Sequence, residues 1–174
     1  MPTFETISFY EEGDMFTTRL DFKPHAYVNI GKDLFSFRQG ELHQHDIGIL
    51  NEFYGQLYVS RIRFMVNSYQ GVVKIFKTLS IEGKGKPEKI IIRTFTPYEQ
   101  ETDLTATEIE DKEGILYAAI LGDKFSPNVS GSEYEKMLKG DPLRSVEAEV
   151  EIMYAPGNDF ELRFYEQGFL PSSG

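Results

Sequence analysis

The stretch Val146-Glu-Ala-Glu-Val-Glu-Ile-Met-Tyr154 alternates apolar and polar side chains almost without a break. That period of two constrains the fold more than any other feature. In a strand, alternate side chains point to opposite faces, whereas a helix would scatter this pattern around its circumference. The stretch therefore predicts a strand with Val146, Ala148, Val150, Ile152 and Tyr154 turned to a core. Glu147, Glu149 and Glu151 form an acidic row on the other side, read as a solvated edge that resists sheet-to-sheet aggregation. Tyr58 to Val66 alternates in the same way. Tyr58, Ser60, Ile62, Phe64 and Val66 share the expected buried face. Arg61 and Arg63 lie on the other, with Leu57, Val59 and Met65, as a half-exposed face in an acid-rich chain.

Turn residues set the hairpins. Gln39-Gly40 is a two-residue turn with glycine supplying the positive φ. The pairing that follows is Arg38 with Glu41, Phe37 with Leu42, Ser36 with His43, Phe35 with Gln44 and Leu34 with His45. Phe35, Phe37 and Leu42 then share one face. Ser36, Arg38, Glu41, His43 and His45 share the other, read as a wet face with an Arg38–Glu41 cross-strand pair. Asp111-Lys-Glu-Gly114 is a second hairpin turn, between Leu104–Ile109 and Ile115–Leu121. Met15–Phe22, Ala26–Ile30 and Asp33–Phe37 read as further strands. The triple isoleucine in Lys89–Arg93 suggests a strand buried on both faces. Ala155–Asp159 is a turn before a final hairpin carrying Phe160, Leu162 and Phe164, with Arg163 offsetting the acidic row.

Two segments depart from this period. Val72, Ile75, Phe76 and Leu79 fall on one helical stripe and predict a short helix over Gly71–Leu79. Ser132-Glu-Tyr-Glu135 has the spacing of a capping box, and Gly140 stands where a helix would stop, which predicts a helix over Glu133–Lys139. The fold class is mostly β, an antiparallel β-sandwich-like domain with two short helices. Its expected core holds Tyr58, Ile62, Phe64, Ile91, Val150, Ile152, Leu162 and Phe164. Residues 1–14 read as an N-terminal arm, 15–167 as the domain and 168–174 as a flexible C-terminal tail.

Composition narrows function by exclusion. With Cys 0, thiolate metal sites and disulfides have no donors, which fits assembly in a reducing cytoplasm. A net charge of −10 argues against a nucleic-acid surface, which needs clustered Lys and Arg. No apolar run reaches membrane-spanning length, and the start Met1–Asp14 has neither a basic nor an apolar signal region. No serine-hydrolase elbow or His-Glu-x-x-His spacing appears, and Glu82–Lys89 lacks the span of a phosphate loop. Glu41, His43 and His45 would offer a carboxylate and two imidazoles to a metal, but one row on one strand rarely closes a coordination sphere. The reading is therefore non-enzymatic, with no catalytic residues, no metal and no cofactor. An iron-, zinc- or manganese-dependent cupin-like enzyme on those three residues stands as a minor alternative.

Several ordered segments resemble virion proteins of short-tailed phages. They are Gly31-x-x-Leu34-Phe-Ser-Phe-x-x-Gly40-Glu-Leu-x-x-His45, Asn51-x-Phe-Tyr-Gly55 and a Ser60-centred strand ending at Asn67. Val73-Lys-x-Phe-Lys-Thr-Leu79 then leads to Glu82-Gly83. Lys112-Glu-Gly-Ile-Leu-Tyr-Ala-Ala-Ile120, Gly122-Asp123 and Gly140-x-Pro-Leu-Arg144 follow, with Ser145 where the pattern has glycine. Over roughly Met15 to Phe164 the chain is similar to the C-terminal region of tail nozzle or muzzle (tail stabilisation) proteins, those of crAss-like phages in particular. The resemblance implies a structural subunit of the virion tail, assembled in the host cytoplasm, repeated in a ring around the DNA channel and touching other tail proteins. It implies neither membrane insertion nor specific nucleic-acid binding. Exposed aromatics suit interface anchors. Phe4, Ile7, Phe9 and Tyr10 near the start, and Phe169 and Leu170 near the end, are the candidates, while Phe53 fits core packing better. A carbohydrate-binding β-sandwich module for host adsorption is the alternative, and Trp 0 counts against it.

Overall fold

The computed structural model describes residues 6–20, 22–95 and 97–171; the side chains of 164–167 and 169–171 lie outside that description. The chain divides into two compact units, Met1–Tyr58 and Val59–Gly174. This division falls at Tyr58, whereas the sequence suggests boundaries after residues 14 and 167. Strand accounts for 53% of the fold and helix for 4%, with antiparallel sheets.

The first unit is built from hairpins. β1 (Thr6–Tyr10) pairs with β2 (Met15–Leu20), with a bulge where Ser8 faces Thr18 but Phe9 faces Phe16. β3 (Ala26–Ile30), β4 (Asp33–Arg38) and β5 (Glu41–Gln44) form a three-stranded sheet in the order β3-β4-β5. Gln39 and Gly40 take φ of 52° and 86°, as a two-residue primed turn requires, and every expected pair from Arg38↔Glu41 to Phe35↔Gln44 is present. His45 follows in step, its amide donating to the Leu34 carbonyl at 2.8 Å. β6 (Glu52–Phe53) and β7 (Gln56–Leu57) make a minimal ribbon.

The second unit is a two-sheet structure. β8 (Ser60–Val66), β9 (Lys74–Lys84), β10 (Lys89–Thr94), β11 (Glu101–Thr105), β12 (Ile109–Lys112) and β13 (Ile115–Ala119) precede helix α1 (Glu133–Lys139). β14 (Arg144–Ser145), β15 (Ala148–Tyr154) and β16 (Glu161–Pro171) follow it. One sheet has the order β11-β10-β15-β8; the other has β12-β13-β9-β14, with β16 also on β9. Ile90, Ile92, Leu104, Val150 and Ile152 from the first sheet meet Phe76, Leu79, Ile81, Ile109 and Ala118 from the second in one core. Each is nearly or wholly removed from water. The sandwich follows from alternation, because two half-apolar sheets bury their faces only against each other.

Helix α1 forms where the capping box predicts it. Ser132 Oγ accepts from the Glu135 amide at 3.3 Å, and the Glu135 carboxylate accepts from the Ser132 amide at 2.9 Å. The other expected helix, Gly71–Leu79, does not form: Lys74–Leu79 is the first half of β9, and the stripe has a different cause. Phe76 faces Phe169 on β16 and Thr78 faces Gly168, so Lys77 is an extra residue that shifts the phase of the strand. Buried positions fall at 74 and 76 before the bulge and at 79 and 81 after it, and Phe76, Leu79 and their neighbours mimic a 3.6-residue period. β9 also meets β16 at very close range. A Cβ on Gly83 would lie 1.8 Å from the Glu161 carbonyl oxygen, so only glycine fits there.

Other expectations are corrected by the register. Phe160 to Phe164 do not return along β15, since β16 pairs with β9 and runs on to Pro171 through the start of the expected tail. Ile90 and Ile92, not Ile91, point into the core, and Ile91 is half-buried on the outer face. Val150 and Ile152 are core residues as expected. Phe64 and Leu162 pack partly buried against that core, and Ile62 is half-buried on the same face. Tyr58 belongs to the first unit, half-buried, its hydroxyl donating to Gln56 at 3.0 Å. The Phe164 side chain lies outside the described residues.

Candidate interaction surfaces

The outer face of the four-stranded sheet carries the acidic row, and it is not a solvated edge. β15 lies between β10 and β8, so its outward carboxylates sit in the middle of a sheet. The register sets Glu101, Arg93 and Glu149 abreast, and Glu151 beside Arg63. Arg93 donates to Glu101 and Glu151 at 2.8 Å each and to Glu149 at 3.1 Å. Arg63 reaches Glu151 at 3.3 Å. Lys89 holds Asp103 at 2.8 Å, and Lys124 contacts both Asp103 and Glu101. Glu151 is only 4% exposed. Burial alone would raise its pKa, but the hydrogen bonds from Arg93 and Arg63 outweigh that and hold it below the usual carboxylate range. Asp103 is likewise lowered, with Lys89 and Lys124 overcoming its burial. Arg63 thus binds a carboxylate within its own sheet, and Arg163, expected to offset the row, pairs with Glu161 instead. These charges answer one another inside the unit, so the lattice stabilises the sheet and offers little to a partner.

The first unit inverts the expected faces of its hairpin. Ser36, on the row read as wet, is wholly buried. It bonds the Tyr54 hydroxyl at 2.6 Å and His45 Nε2 at 2.7 Å. An aromatic layer covers this side. Phe22 stacks on Phe53 with ring centres 4.2 Å apart, and His45 stacks on Phe22. Tyr54 stands edge-on to His43, and the Arg38 guanidinium lies over the Tyr54 ring. Burial pushes the His45 imidazole below its ordinary pKa, with His43 adding to the effect and Asp46 opposing it. Glu41 stays 3.5 Å from His43, but His45 turns to Ser36. Among the described residues no group of three His, Asp or Glu side chains is placed to hold a metal.

The apolar row of the same sheet is therefore the bare one. Direct pairs put Ala26 with Phe37, Val28 with Phe35 and Phe37 with Leu42 on one face. Ile30 is 57% exposed, Leu42 51% and Phe37 42%. The β1–β2 hairpin shows a second bare face. Ile7 and Phe9 are exposed, and Phe16, 73% exposed, meets Phe9 edge-on at 5.1 Å. The opposite side of that hairpin faces inward: Thr6 Oγ1 donates to the Phe22 carbonyl at 2.6 Å and accepts from the Tyr27 hydroxyl at 3.2 Å. Of the residues singled out as interface anchors, Ile7, Phe9 and Tyr10 are exposed, and Tyr10 donates to Glu12. Phe4 lies outside the described residues. Phe169 and Leu170 sit in β16 opposite Phe76 and Ile75. Alternation grouped Phe35, Phe37 and Leu42 correctly; what it missed was the aromatic layer that claims the other face.

Residues 48–123 match the family model described as the Crassvirus muzzle protein C-terminal domain, the family that the ordered motifs resemble. No curated protein matches the chain.

Proposed function

We propose that this chain is a non-enzymatic structural subunit of a phage tail. It would be set with copies of itself and with other tail proteins around the channel through which DNA passes. The muzzle-family match carries this reading, and the surfaces support it. A subunit that works by contact needs apolar faces left uncovered until assembly, and the first unit has two of them. The net charge of −10 suits a channel component, because an acidic surface repels DNA in transit. The lack of cysteine suits assembly in a reducing host cytoplasm. Ile7 and Phe9 are proposed as contact residues of the tail. Mass spectrometry of purified virions, followed by imaging of the particles, tests the reading: the protein is expected among the tail components at constant stoichiometry. Its absence from virions would end the proposal.

A further inference from the structure

We infer that the open edge of β8 is a docking seam for an extended segment of another tail protein, a strand with carboxylates on alternate residues. That the partner is a tail protein rests on the proposed function; the seam itself rests on the sheet. The strand order leaves β11 and β8 as the two edges. In an antiparallel ladder each residue turns its amide and carbonyl to the same neighbour, and alternate residues turn to opposite sides. The Thr94 amide donates to the Gln100 carbonyl at 2.9 Å, so even-numbered residues of β10 and β11 bond each other. Odd-numbered residues of β10 then bond β15, and even-numbered residues of β15 bond β8. Arg61, Arg63 and Met65 are left with their backbone groups turned to the open side. The two edges are finished differently. On β11 the Glu101 carbonyl accepts from the Lys124 amide at 2.8 Å, and the Glu101 amide donates to Asp123 at 3.1 Å. The Asp103 amide meets the Met137 sulfur, and the Thr105 amide donates to Glu108 at 2.6 Å. On β8 no described residue bonds the backbone of Arg61, Arg63 or Met65 from outside the sheet. β8 runs seven residues without proline or bulge, the kind of edge to which a further strand adds.

Charge selects the strand that fits. The charge lattice is closed within the sheet, but its margin is not. Arg61 stands abreast of Met153, Lys89 and Thr105, with no carboxylate in its row. Arg63 reaches Glu151, yet its side chain is 56% exposed. A second copy of β8 laid antiparallel over all seven residues sets Arg63 against the Arg63 of the other copy, and like charges directly opposite destabilise a pair. Carboxylates on a partner strand meet both arginines instead. On the inner face of the same edge Ile62 and Phe64 are half-buried, so the residues between those carboxylates are apolar. The segment called for alternates acidic and apolar side chains, as β15 does on the other side of β8. The contact uses backbone groups and two arginines, so the sandwich core stays closed whether or not the seam is filled.

Residue-resolved amide hydrogen exchange on the full chain, free and in purified tails, tests the seam. In the free chain the amides of Arg61, Arg63 and Met65 should exchange fast and those of Ile62 and Phe64 slowly. In tails the first three should slow by at least about tenfold. Unchanged exchange at all three, in particles that contain the chain, rejects the seam and leaves the tail reading standing. Absence of the chain from particles rejects the tail reading, and a synthetic peptide then decides the seam alone. The peptide is Glu-Ala-Glu-Val-Glu-Ile-Met-Tyr, the sequence of residues 147–154, which has the required alternation. At millimolar concentration it should slow the same three amides, and a version with lysine for every glutamate should not. No slowing with the glutamate peptide, or equal slowing with both, overturns the inference. Slowing when the free chain is merely concentrated assigns the seam to a second copy and overturns it too. Arg61→Pro removes an outward amide and no bond of the sheet, so it should keep the thermal transition of the natural chain and abolish protection by the peptide. Arg61→Glu keeps the backbone intact and should weaken peptide binding by at least about tenfold. Binding unchanged by Arg61→Glu overturns the choice of an acidic partner.

Discussion

The two units spend their apolar residues in opposite ways. In Val59–Gly174 the sheets enclose Phe76, Leu79, Ile81, Ile90, Ile92, Leu104, Val150 and Ile152 between them. In Met1–Tyr58 Phe22 is the one large apolar side chain fully enclosed among the described residues, while Ile7, Phe9, Phe16, Ile30, Phe37 and Leu42 face outward. A unit of under about 60 residues buries too small a share of its surface to be more than marginally stable. The larger unit has the core to stand alone, and the smaller keeps its apolar surface for something else. Self-sufficiency and readiness to assemble are thus separated along the chain.

The sharpest way to break this comparison is truncation of a large side chain in each unit. Phe76→Ala in the sandwich core should cost about 3–5 kcal/mol, as such core changes do. Phe37→Ala on the bare face should change the stability of the free chain by no more than about 0.5 kcal/mol. Denaturant titration of each variant measures both, and a Phe37→Ala loss as large as that of Phe76→Ala would mean that the face is already covered.

Next in size comes the charge lattice. Arg93→Met leaves Glu151 buried beside a single arginine and should cost about 3 kcal/mol, as breaking a buried pair does. Adding Glu151→Met should recover much of that loss, because two apolar side chains need no charge partner. A double variant no better than the single one would show that the pair contributes through packing, not charge.

Acid should separate the units. The folded pKa of His45 is lowered, so its unfolded state binds protons more readily. Its contribution is complete above the ordinary imidazole value near 6.5 and fades as pH falls through the lowered folded value. Glu151 and Asp103 are lowered from the carboxylate range, so their contributions persist until pH drops below about 4. The first unit should therefore loosen at mildly acid pH while the second holds. Hydrogen exchange followed unit by unit would show this, and His45→Gln should remove the step in the first unit alone. A smaller loss than in the core or the charge lattice is expected at helix α1, where Ser132→Ala removes the cap and should cost about 1 kcal/mol. Thermal unfolding of the second unit would detect it.

What was legible in the sequence was local. Gln39-Gly40 fixed its hairpin register because a two-residue turn leaves no freedom, and Ser132 with Glu135 fixed a helix start through reciprocal bonds. Alternation sorted Val150 from Glu151 without needing a partner strand. Distant choices were not legible. Lys77 as a bulge depends on β16, ninety residues on, and turned a strand into an apparent helical stripe. Glu151 looked solvated because its arginines arrive from β8 and β10. The row of Ser36, His43 and His45 looked wet because a polar row normally is; the aromatic layer of Phe22, Phe53 and Tyr54 made it the inner one. The interface candidates Ile7 and Phe9 came from the residues and the resemblance together, whereas the bare face of β3–β5 appeared only with the sheet.

The most direct test of the division of labour is amide hydrogen exchange on the full chain, free in solution and within purified tails. Docking that fills the bare faces must raise the cost of local opening there. β1 to β5 should gain protection on assembly while the core strands β10 and β15 exchange alike in both states. Equal protection of β1 to β5 in the free and assembled chain would contradict it.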